Sequence, residues 1–378
     1  MPLLLPQVDG MKRLLRLRAV PLWAGVVAIA VVVFIALFCS LLPLSGNDGG
    51  LLQEEKTVGY QERFYEPLGS DIHWLDTECY PWTGYLSLHL YRVSSGEESF
   101  AYSKNGSGVS PPILNGQGES VTRKWTWAFA VGGAAQFYHY DWNVCATYQY
   151  FNDNQTQSVA GDDAGTLIPL RSVALNGSSV TNAISAAAFT LNELDVSLTK
   201  QFHFHENLLI QAILGLRNTW IKNNQSSSYT GGATLGNNFV NVRQNNDYWG
   251  IGPLGGVVTK WLIFDNFYFL GAGDISLECI ANRSSYAETQ NNNSNAAINL
   301  FEKMQYLAPT IDCKIGVGVA DYICKNKTHL SCDFTYDAQF FSSRSNAFEI
   351  EPYATVRYMR PTNNVTLQGF AISLTALY

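Results

Sequence analysis

The sequence predicts an all-β fold: a transmembrane antiparallel up-and-down β-barrel of about 12–16 strands, preceded by an N-terminal apolar signal helix. Three observations predict it. Long stretches alternate apolar and polar residues with period two. The segments joining them divide into a short class and a long class. The composition is poor in charge and rich in aromatics without being greasy. Of 378 residues, 15% are charged and 13% aromatic, while mean hydropathy is -0.03. A soluble domain carries about 25% charge. A bundle of membrane helices would show several long apolar runs, and this chain shows one. A wall whose lipid-facing and water-facing residues alternate averages to middling hydropathy.

That one run opens the chain. Lys12, Arg13, Arg16 and Arg18 precede an apolar stretch from Leu22 to Leu44, which Ser45, Gly46 and Asn47 break. Basic residues, an apolar stretch and a small polar break form an export pattern. The stretch is also long enough for a spanning helix of about 20 residues. Residues 1–45 are therefore expected to be a signal peptide or signal anchor. Residues 46–82, with Glu54, Glu55, Lys56, Glu62 and Arg63, are expected to be a periplasmic linker, and 83–378 the barrel. The net charge of -7 and the lack of a basic stripe beyond the opening residues argue against a nucleic-acid partner.

The alternation starts at Trp125, Trp127, Phe129 and Val131, interleaved with Thr126, Ala128 and Ala130. After a turn near 137–141, Trp142, Val144, Ala146, Tyr148 and Tyr150 return, completing a hairpin. Leu194, Val196 and Leu198 alternate with Glu193, Asp195 and Ser197; a turn at 205–207 leads to Leu208, Ile210, Ala212, Leu214 and Leu216. Gln211, Gly215, Arg217 and Thr219 take the other face. A strand from Trp249 to Trp261 turns at Asp265-Asn266 and returns from Phe267 to Ala281. Ile311 to Val319 and Leu330 to Phe340 make a last pair around Lys325–Thr328. Strands of this length exceed the 5–6 residues of ordinary sheets and suit a tilted crossing of about 9–11 residues. Short turns alternate with long Asn-, Ser- and Gln-rich segments at 152–185, 222–246 and 282–300, read as loops. Glycines such as Gly215, Gly252, Gly256 and Gly316 fall inside strands, where a barrel wall bends.

The chain ends Phe370-Ala-Ile372-Ser-Leu374-Thr-Ala376-Leu-Tyr378, with every second residue apolar or aromatic. This resembles the C-terminal signal strand that the outer-membrane barrel assembly machinery of bacteria reads. Further stretches resemble one family. They are YLSLHLYRVSSGEESFAY from Tyr85 to Tyr102, the Trp- and Gly-marked hairpin from Lys124 to Phe151, and Gly215-Leu216-Arg217. Tyr248 to Gly256, YWGIGPLGG, and Thr366 to Tyr378, TLQGFAISLTALY, complete the set. Together, in order over 85–378, they are similar to the pore-forming, major-outer-membrane-protein-like barrels of Legionella- and chlamydia-type bacteria. The resemblance implies a bacterial outer-membrane location and a porin-like function. Ala and Val in the first hairpin, and a terminal Tyr, depart from the family pattern and leave the pore properties open.

The sequence offers little for catalysis. There is no Gly-x-Ser-x-Gly elbow, no phosphate-binding loop followed by a helix, and no cofactor is implied. His203 and His205 lie two apart at a turn with no third ligand nearby, so a solvated turn is expected and no metal. The cysteines are Cys39, Cys79, Cys145, Cys279, Cys313, Cys324 and Cys332; six lie outside the apolar run, and at most one or two bridges are expected. The alternation turns Asp195, Arg217, Asp274, Glu278, Asp312, Lys314, Asp333 and Asp337 inward as candidate pore-lining residues. Phe370, Ile372, Leu374, Ala376 and Tyr378 are the candidate assembly signal. The expected function is passive diffusion of small hydrophilic solutes and ions, with membrane lipid and the assembly machinery as partners. Homo-oligomerisation is left open. Two alternatives stand: a structural or adhesive surface barrel without an open pore, and a signal-anchored extracellular β-domain. For the last, sequons such as Asn105, Asn176 and Asn282 would carry glycans.

Overall fold

The computed structural model describes residues 82–378 except 96–97, 105–115, 138–141, 162–166, 176–177, 206, 265, 292–297, 324–327, 347–348, 351–357, 360–361 and 378. The export segment, the linker up to residue 81, the turns at 138–141 and 324–327, Cys79, Cys324 and Tyr378 lie outside the described residues. Ten strands close into one antiparallel barrel. In chain order they are β1 (Trp82–Ser95), β4 (Thr126–Phe137), β5 (Trp142–Ala160), β7 (Asn182–His205), β8 (Leu208–Thr230), β9 (Phe239–Phe264), β10 (Phe267–Gln290), β11 (Ile298–Ile323), β12 (Thr328–Asn346) and β15 (Thr362–Leu377). Each pairs with the next, and β15 closes on β1, Leu88 opposite Ile372. Closure leaves no open edge for lipid to desolvate. The remaining strands are short. β2 (Ser99–Lys104), β3 (Gly116–Ser120) and β6 (Leu167–Pro169) make a three-stranded sheet, and β13 (Glu349–Ile350) pairs with β14 (Tyr358–Met359).

Alternation sets which face each residue takes. Leu88, Trp127, Leu214, Ile275, Ile315, Phe334 and Ile372 are exposed large hydrophobics on the outer surface. Their inward neighbours, such as His89, Ala128, Ser276 and Ser373, are buried. An apolar belt on the outside with polar residues inside inverts a soluble protein, and lipid is the solvent that stabilises it. Cys145, Cys279, Cys313 and Cys332 are free thiols, the last three exposed on that outer face.

Two readings of the sequence need correction. The barrel has ten strands, fewer than the 12–16 expected: the short strands β2, β3 and β6 pair with one another rather than joining the wall, and much of the sequence read as long loops lengthens wall strands instead of remaining loop. β5 runs on to Ala160, β8 to Thr230 and β10 to Gln290, while β7 starts at Asn182 and β9 at Phe239. Beyond the lipid belt the outer wall face meets water, so composition turns polar on that face although pairing continues. The period survives on the inner face, where Ala183, Ala187, Tyr229, Val240, Val242 and Tyr286 are buried. β7 to β11 therefore stand tall on the long-connection side, which is the outer side of a barrel whose short turns face the periplasm.

Candidate functional site

The interior is built in layers. The central one is charged. Arg217 on β8 is 2% exposed. Its Nε and Nη2 donate to the two carboxylate oxygens of Asp195 on β7 at 2.9 and 2.8 Å. Its guanidinium also reaches Asp312 on β11 at 2.8 Å, Asp274 on β10 at 3.1 Å and Glu193 at 3.5 Å. One arginine thus gathers carboxylates from both sides of β9. The glycines of β9 explain the reach. Arg217 pairs in register with Gly252, and Asp274 with Gly256. A Cβ on Gly256 would lie 2.6 Å from the Asp274 Cβ, so a side chain there would displace the carboxylate. Beside this group, Lys314 lies opposite Asp337 in the β11–β12 register. Asp337 takes a hydrogen bond from Tyr91 at 3.3 Å, and His89 lies 3.3 Å from it.

At the same depth the lumen is crossed. Gln149 on β5 and Gln339 on β12 exchange amide hydrogen bonds of 3.1 and 3.2 Å. These strands stand four places apart in a ring of ten, so the pair spans the interior rather than lining it. Outward from this level comes an apolar layer. Tyr91, Phe151, Phe189, Leu191, Ile221 and Phe341 are each 0% exposed, and every barrel strand contributes to the cluster they form. Phe151 packs between Tyr91 and Phe189, ring centroids 6.0 and 6.1 Å away. Such contacts add dispersion and quadrupole attraction to the burial.

On the periplasmic side the interior opens into a cavity of about 270 Å³. Lys260, Tyr268, Gln201, Gln211, Ser331 and Asp333 are among its lining residues. The Tyr268 hydroxyl donates to Asp333, and the Lys260 ammonium sits 5.0 Å above the Tyr268 ring. At the outer end the β2–β3–β6 sheet packs on the inner face of the tall wall, Phe100 and Leu167 against Tyr229 and Val240. Arg123 fixes one edge of this cap, pairing with Glu98 at 2.7 Å and Asp153 at 2.9 Å. Burial pushes the Glu98 carboxyl above its ordinary range, and the neighbouring Arg123 charge opposes that shift.

A closed, lipid-belted barrel with an ordered polar interior sets the architecture, and comparison with known proteins supplies the family. The family model described as Legionella pneumophila major outer membrane protein precursor matches residues 84–377. The chain belongs to this family. It is accordingly an outer-membrane protein, and the resemblance drawn from the sequence holds. No curated protein matches the chain. Among solved structures, the outer membrane protease OmpT from Escherichia coli is similar at 9% identity, covering 79% of this chain and 96% of its own, with a TM-score of 0.42. A Pseudomonas aeruginosa FadL homologue is similar at 10% identity, covering 79% and 90%, with a TM-score of 0.28. The toluene transporter TodX of P. putida is similar at 8% identity, covering 78% and 89%, with a TM-score of 0.20.

For this family member, the structure brings several sequence-derived candidates together. Asp195, Arg217, Asp274 and Asp312 form one ion-pair group, with Lys314 and Asp337 beside it. Glu278 lies apart, fully buried, taking hydrogen bonds from Ser276 at 3.0 Å and Thr310 at 2.7 Å. Asp333 belongs to the periplasmic cavity. Phe370, Ile372 and Leu374 are exposed on the lipid face of β15, with Ala376 half-buried. His203 is exposed. Glu193 was missing from the candidates although it shares the parity of Asp195. Gln149, Gln339 and the apolar layer carry no sequence signal, because alternation alone predicts a polar inward face and not where it turns apolar.

Proposed function

We propose that this chain is a porin-like conduit for small hydrophilic ions, closed by its apolar layer and cation-preferring when open. The observation that carries the reading is the stack on one axis: a periplasmic cavity, a charged layer and an apolar layer. Among the described residues, Glu193, Asp195, Asp274, Asp312 and Asp337 face Arg217 and Lys314 as fixed cations. An excess of carboxylates at a constriction favours cations, and an apolar constriction gates by shedding water. The lipid-facing alternation of β15 fits a strand read by the assembly machinery, and that role belongs to the same proposal.

The test is a planar-bilayer recording of the folded barrel under a KCl gradient. Brief steps with a reversal potential on the cation side are expected. Asp274→Asn with Asp312→Asn is expected to move that potential toward zero. An anion-side potential in the wild type would contradict the reading. A second reading, a structural surface barrel that conducts nothing, is favoured by one observation: every strand contributes to the layer that closes the lumen. Silence from folded protein would support it.

A further inference from the structure

The cap over the outer mouth is held at one point by a buried carboxylate. Glu288, near the outer end of β10, is 0% exposed. Its Oε1 accepts from the Ser172 hydroxyl at 2.6 Å and the Ala174 amide at 3.1 Å, and its Oε2 from the Val173 amide at 3.0 Å. The Tyr286 hydroxyl lies 2.9 Å from Oε2 and 2.8 Å from the Arg171 carbonyl, and its single proton serves one of the two. Ser172 also accepts from the Leu175 amide at 3.1 Å, which folds residues 172–175 into a turn around the carboxylate. Next to the turn, Arg171 donates to the Ser99 carbonyl at 3.0 Å and to Gln244 at 2.9 Å, tying the strap to β2 and to the wall.

We infer that Glu288 is a latch: its carboxylate holds residues 170–175 as a strap across the outer mouth, and the strap opens as a unit when the latch is broken. Three physical points support this. Hydrogen bonds to a carboxylate are about twice as strong as neutral ones. Removing an acceptor that serves the buried Ser172 and Tyr286 hydroxyls and two part-buried amides leaves the buried donors unsatisfied. The strap otherwise belongs to an exterior connection rather than to the barrel ladder, so its local opening does not require the barrel to unfold. The inference concerns the cap alone and stands whether or not the lumen conducts.

Arg171 supplies the readout, because trypsin must draw its side chain and the flanking backbone out of the cap before cutting. The measurement is the rate of cleavage between Arg171 and Ser172 in barrels purified from outer membranes, identified by the new terminus. Heat-modifiable gel mobility is the check on the barrel itself. Wild type is expected to be cut slowly. Glu288→Ala is expected to be cut roughly ten-fold faster or more, and Ser172→Ala faster by a smaller factor, both keeping the mobility shift. Equal rates in wild type and both variants would overturn the inference. Should Glu288→Ala not assemble, Ser172→Ala decides alone, since it weakens the latch from the strap side and leaves the wall untouched.

Discussion

Replacing Arg217 with Ala is expected to cost the folded barrel about 3–5 kcal/mol, the penalty for stranding buried charge. The guanidinium holds Asp195 in a two-bond fork and also contacts Asp274, Asp312 and Glu193. Removing it leaves like charges facing one another away from bulk water. Arg217→Lys keeps a positive charge but loses the planar fork, so it is expected to fall between wild type and Ala. Arg217→Ala combined with Asp312→Asn is expected to recover part of the loss, because one repelling charge is gone. Urea titration in detergent, followed by heat-modifiable mobility, checks all three. An unchanged midpoint for Arg217→Ala would mean that the charged layer is solvated and contributes no structural clamp.

Ile275→Arg is expected to be nearly as damaging, for the opposite reason. Ile275 is 54% exposed on the outer face of β10, midway along its lipid-facing stretch. A cation at the bilayer midplane of a barrel costs about 2–4 kcal/mol, falling to about 0–1 near the rims. Phe269, on the same strand and face, lies two residues into β10 from the periplasmic turn and is 49% exposed. Phe269→Arg is therefore expected to cost little charge penalty. Folding into vesicles, compared for the two variants, reads the depth of each site. Equal tolerance at both positions would place Ile275 outside the hydrocarbon.

The contrast between these sites also shows where the sequence was readable. The lipid-facing side of every strand within the membrane obeys one requirement, hydrocarbon compatibility, so Leu214, Leu216, Ile275 and Leu277 declared their face by alternation alone. Arg217 and Asp195 followed as the opposite parity. Their meeting also depended on register, which puts Asp195 opposite Arg217, and on the small residues of β9 over which the guanidinium extends. Nothing in a single strand reports either. The apolar layer was invisible for a related reason. Phe151, Phe189, Ile221 and Phe341 lie in different strands, and only the closed ring stacks them at one height. The tall outer wall was misread because its outer face is wet, so its Asn- and Ser-rich composition imitates a loop while its inner face keeps the strand period. Glu288 had no local signal at all. Its strap donors, Ser172, Val173 and Ala174, lie more than a hundred residues earlier in the chain.

In the proposed conduit the apolar layer built from all ten barrel strands, lying between the charged layer and the outer cap, sets how rarely the lumen opens. The decisive measurement is single-channel recording of folded wild type beside Phe151→Ser with Phe341→Ser. Rare, brief openings are expected in the wild type, and longer, cation-selective openings once the two rings are removed. A double variant that keeps its heat-modifiable mobility yet stays as silent as the wild type would contradict the conduit, and would leave a closed structural barrel in its place.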